Sequence, residues 1–107
     1  MAAALVALGL DAGSAEDLIP SDQANPEGYF ESVGAFALNS RIVNHLEGWW
    51  DAPPRLVDDW QDAPVMDRWV REAAALRAEV LPGERWLLKD PRVSLILPLW
   101  RRAVLDR

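Results

Sequence analysis

The sequence predicts an α/β chain, mostly helical with one strand at about residues 85–89, and three observations carry that expectation. Apolar residues recur at threes and fours across roughly 31–46 and again from about 62 to 80, the spacing of helices that lie on a core. Trp86-Leu87-Leu88 is a short apolar run that ends abruptly in Lys89-Asp90-Pro91-Arg92, the pattern of a buried strand surfacing at its C-terminal end. A lone strand cannot satisfy its own backbone groups. Either that run is not a strand, or its neighbours are encoded outside the 107 residues. The second option fits a chain truncated at both ends, a single partial domain over 1–107.

Composition narrows the function. A formal charge of −6 argues against a general nucleic-acid or anionic-membrane binder, which needs a basic surface. Any anion site must be local and built from a few placed cations. The chain has no cysteine, which removes disulfides, thiolate catalysis and cysteine zinc sites together, and its one histidine, His45, cannot make a histidine metal site. No metal is therefore expected. The apolar start lacks a basic leader and is too short to span a bilayer, so the location expected by default is cytoplasmic.

In chain order, Ala2 to Leu8 reads as the latter half of a helix, with no capping residue before it and Gly9 and Gly13 to stop it. Asp11 to Gly28 is punctuated as a loop by Gly13-Ser14, Pro20-Ser21-Asp22 and Asn25-Pro26. The helix of roughly 31–46 draws its apolar face from Val33, Phe36, Ala37, Leu38, Ile42, Val43 and Leu46, with Glu31 in the first turn complementing the dipole and Gly48 ending it. Trp49 to Pro54 is a second loop, in which two adjacent tryptophans cannot both face the core. Asp62 or Ala63 opens the clearest helix, carrying Met66, Trp69, Val70, Ala73, Leu76 and Val80, with Asp67 and Arg71 paired on its polar side and Pro82-Gly83 at its end. After Arg92 a further helix is interrupted by Pro98, which removes a backbone donor at a cost of about 3 kcal/mol in a helix interior. A kink or two short helices are expected there.

Lys89 is the only lysine against ten arginines, and it stands where chemistry sits in open α/β sheets, at a strand's C-terminal end. The same residues have a plainer reading. Asp90 can cap the next helix, Pro91 suits its first position, and Lys89 can simply reach water.

Five motifs in order, Leu8-Gly9-Leu10-Asp11, Asn25-Pro26-Glu27-Gly28-Tyr29-Phe30-Glu31, Ala37-Leu38-Asn39, Trp50-Asp51-Ala52-Pro53-Pro54 and Trp86-Leu87-Leu88-Lys89-Asp90-Pro91-Arg92 running on to Leu97-Pro98-Leu99-Trp100-Arg101, resemble the bacterial sulfotransferase family across nearly the whole chain. The resemblance implies an α/β fold akin to the P-loop nucleotide kinases. It also implies transfer of a sulfuryl group from 3′-phosphoadenosine 5′-phosphosulfate, a donor co-substrate and not a resident cofactor, to a hydroxyl or amine of a small-molecule or glycan acceptor. On the same footing Lys89 and Arg92 fall at the sulfuryl site, Asp90 and Tyr29 complete the substrate-binding set, and Glu31, with Glu27 as second choice, is the candidate base. A carboxylate base needs burial or neighbours that favour its protonated form. The family's glycine-rich phosphosulfate loop and its 3′-phosphate site have no counterpart in this sequence, so the chain alone is expected to be inactive. The rival reading is a non-enzymatic helical module that binds a partner through exposed tryptophans. An unpaired strand edge would also favour self-association.

Overall fold

The computed structural model describes residues 2–20, 22–24, 31–46, 48, 56 and 58–105. Four α-helices organise them: α1 (Ala2–Ala7), α2 (Val33–His45), α3 (Asp67–Val80) and α4 (Leu97–Leu105). Helix α1 stops where its glycine predicts. Gly9 takes φ +96°, its N–H bonds the Val6 carbonyl at 3.0 Å and the Leu10 N–H bonds the Leu5 carbonyl at 3.2 Å, the paired bonds that close a helix on a left-handed residue. Gly13 is also left-handed, and its N–H bonds Asp11 Oδ1 at 2.8 Å, a side-chain-closed turn.

Helix α2 begins later than the sequence suggested. Ser32 is its N-cap, with extended backbone and an Oγ that accepts the Ala35 N–H at 3.2 Å, a cap that contributes about 1 kcal/mol. Glu31 therefore lies ahead of the helix and is not a first-turn dipole partner. The buried stripe is Ala35, Leu38, Asn39, Ile42 and Val43, whereas Val33 and Phe36 are exposed. Helix α3 is preceded by two 3-10 turns, Trp60–Asp62 and Pro64–Met66, so Pro64 opens a turn of its own. Asp67 does not pair with Arg71; its Oδ1 accepts from Arg102 Nη2 on α4 at 3.0 Å.

The region around Pro98 resolves into two short pieces. A 3-10 turn, Pro91–Ser94, is capped by Asp90, and α4 follows with Pro98 as its second residue, where no backbone donor is required. Helices α2, α3 and α4 enclose one core, with Leu38, Ile42 and Val43 from α2, Met66, Trp69 and Ala73 in and before α3, and Ile96, Leu99, Trp100 and Ala103 in and before α4. Each aliphatic side chain buried there contributes roughly 1.5–3 kcal/mol, so packing and not propensity holds a helix as short as α4.

The mostly helical expectation holds, and the strand shrinks to a bridge. Residues 86–90 lack helical or turn structure. Their regular pairing is one parallel bridge to Asp11, made by the Asp11 N–H on the Arg85 carbonyl at 3.0 Å and the Leu87 N–H on the Asp11 carbonyl at 2.7 Å. A ladder needs a neighbour along several residues, and the Asp11 loop turns away at Gly13. No multi-residue strand forms among the described residues. A second bridge, Leu18 with Ser32, is antiparallel and includes the Ile19 N–H on the Glu31 carbonyl at 2.8 Å. The long loop is thus tied down at Asp11 and again at Leu18 and Ile19. No helix among the described residues is long and apolar enough to cross a membrane.

Candidate functional site

The approach to the site is fixed from α3. Arg77 donates from Nη2 to the Gly83 carbonyl at 2.8 Å, and its guanidinium lies 5.0 Å from the Trp86 ring centroid, so one side chain holds both the turn after α3 and the first residue of the extended segment. Leu88 then packs against the core. In extended backbone successive side chains point to opposite faces, so burying Leu88 turns Lys89 outward. Its ammonium reaches Glu31, with Nζ 3.7 Å from Oε1. That is a charge contact beyond hydrogen-bond length. The two ends of the pair differ in setting: the Lys89 side chain is 42 % exposed and that of Glu31 only 15 %. Glu31 is held by its backbone, through the Ile19 bond and the Ser32 cap that follows it.

Asp90 does what its sequence position suggests. Its side chain is fully buried, and Oδ1 accepts the Arg92 N–H at 2.8 Å, capping the 3-10 turn in which Pro91 holds the first position. The same oxygen meets Arg92 Nη1 at 3.4 Å, while Oδ2 is buried with no hydrogen-bond partner among the described residues. Asp90 is consequently an anchor for Arg92. The Arg92 guanidinium lies over the Phe36 ring of α2, 4.4 Å from its centroid. Another tie links α2 to α4, from Trp100 Nε1 to Asn39 Oδ1 at 2.7 Å, with both residues buried.

Of the residues singled out from the sequence, Glu31 and Lys89 meet directly, and Asp90 and Arg92 form a second pair within the next three residues of the same segment. Glu27 and Tyr29 lie outside the described residues, as do Trp49 and Trp50. Phe36 and Asn39 were given no role at the site by sequence reasoning. A signal existed for Asn39, a polar residue within the buried stripe; for Phe36 the helical periodicity pointed the wrong way. Chemically, the group combines a carboxylate able to take a proton with an ammonium and a guanidinium able to stabilise charge developing on an anion. Compared with protein-family models, curated proteins and solved structures, the chain matches none.

Proposed function

We propose that this chain carries the acceptor and sulfuryl side of a sulfotransferase site. Glu31 takes the proton of an acceptor hydroxyl or amine, the acceptor oxygen or nitrogen bonds to sulfur, and the sulfur–oxygen bond to the donor's 5′-phosphate breaks in line, releasing adenosine 3′,5′-bisphosphate. Lys89 and Arg92 take up the negative charge of the sulfuryl oxygens during the displacement. The observation that carries this reading is the meeting, at 3.7 Å, of the Lys89 ammonium with a Glu31 carboxylate whose side chain is largely buried, with Arg92 on the next turn. The ordered motifs of the bacterial sulfotransferases support it. A P-loop-kinase-like α/β fold for the working domain, a cytoplasmic location, a small-molecule or glycan acceptor, and supporting roles for Glu27 and Tyr29 belong to the same proposal. No turnover is expected from these 107 residues alone, because donor positioning supplies much of such an enzyme's rate.

For the rival module, which needs exposed tryptophans, Trp69 and Trp100 are buried and Trp60 and Trp86 partly so, while Trp49 and Trp50 lie outside the described residues. A titration with methyl sulfate, the simplest sulfate ester, tests the proposal through amide resonances. Saturable shifts centred on Lys89 and Arg92 are expected, with binding weakened about tenfold or more in Lys89→Ala, the loss of one charged hydrogen bond. Unchanged affinity in that variant would overturn the assignment.

A further inference from the structure

Phe36 is an exposed aromatic residue on a helix whose buried stripe lies elsewhere. It is 40 % accessible and stands outside the core cluster. Its ring faces Arg92, whose side chain is only 18 % exposed and whose guanidinium carbon sits 4.4 Å from the ring centroid. Among the described residues, the other restraint on that guanidinium is Asp90 Oδ1 at 3.4 Å from Nη1, long for a charge-assisted hydrogen bond. One long contact at an edge does not fix the plane of the group; a ring face adds the missing restraint.

We infer that Phe36 is a positioning residue that holds the Arg92 guanidinium flat as a preformed fork for two oxygens of a sulfuryl group, an inference that rests on the sulfuryl-site reading above. A guanidinium carries five N–H donors in one plane. Among the described residues, Asp90 receives the donors that are used, one from the backbone and one from Nη1. With the plane set, the remaining donors offer a bidentate geometry that matches two oxygens of an oxyanion, and less rotamer freedom is lost when the anion arrives. A solvated arginine would recognise the same group with the same charge and without the fixed geometry.

The test uses the full chain with Phe36→Leu and Phe36→Trp. Phe36 lies outside the core, so both variants are expected to melt within about 4 °C of the original chain. Methyl sulfate is the probe because it has no ring that could itself stack on Phe36. Binding is expected to weaken about two- to fivefold in Phe36→Leu and to recover in Phe36→Trp. The Arg92 Nε–H resonance should lose its ring-current displacement in Phe36→Leu, which checks the stacking itself, while recovery of binding in Phe36→Trp with unchanged melting separates positioning of Arg92 from a merely structural role. If the original chain binds methyl sulfate and Phe36→Leu binds it equally well, or if the ring-current displacement is absent, the inference falls and the sulfuryl reading stands. Failure of the original chain to bind methyl sulfate at Lys89 and Arg92 overturns both.

Discussion

Single residues in this chain are explained by the polar atoms they leave inside. Asn39 is completely buried, spends Oδ1 on the Trp100 indole N–H at 2.7 Å, and keeps Nδ2 unpartnered among the described residues. Losing that bond would strand a buried indole donor, which costs about 1–3 kcal/mol. Asn39→Leu, close in size, removes the orphan amide but strands the indole, and urea unfolding should show a loss of about 1–2 kcal/mol. Trp100→Phe in that background should then cost about 1 kcal/mol less than it does alone. Strict additivity of the two changes would show that the bond contributes nothing. Asp90 follows the same logic with a different outcome. Its buried carboxylate is retained by a capping bond and by the adjacent Arg92 charge, and the two together place a cation at the site.

Elements formed where local chemistry dictates them. The Ser32 cap, the glycine stop of α1 and the Asp90-Pro91 start of the 3-10 turn are each decided by residues within five positions of one another, and all but the Ser32 cap could be read from the sequence. Pro98 illustrates how such a reading stays incomplete. The proline predicts an interruption, but only the tertiary packing of Ile96, Leu99 and Trp100 decides that α4 starts at Leu97 and accommodates Pro98 in its first turn. Pro98→Ala should therefore destabilise the chain by about 0.5 kcal/mol, through the added freedom of the unfolded state. A helix broken in its interior would respond in the opposite direction, gaining up to about 3 kcal/mol, and a calorimetric melt distinguishes the two signs. The extended segment after Pro82-Gly83 was legible as non-helical but not in its pairing. Asp11 is its bridging residue, and no local signal names a partner so distant in sequence.

At the scale of the molecule, an acidic chain of charge −6 concentrates a lysine and an arginine on one short segment and sets the Glu31 carboxylate against the lysine. The segment's sequence gave away the cations, since an apolar run ending in Lys89-Asp90-Pro91-Arg92 reads directly as an exit from the core. Phe36 stayed hidden because periodicity reports which residues share a helix face and not which neighbour that face meets. The strand expected at about 85–89 is reduced to a single bridge among the described residues for a related reason, as strand pairing is non-local and the sequence names no second strand for it. The central claim is that Lys89 presents its ammonium to a sulfuryl oxygen beside Glu31, and the chain's single lysine makes this directly measurable. Acetylation by a limiting amine-reactive reagent, followed by mass spectrometry of the Lys89 peptide with the N-terminal amine as internal reference, should slow several-fold at Lys89 alone when methyl sulfate is saturating. Equal rates with and without the ester would contradict the account.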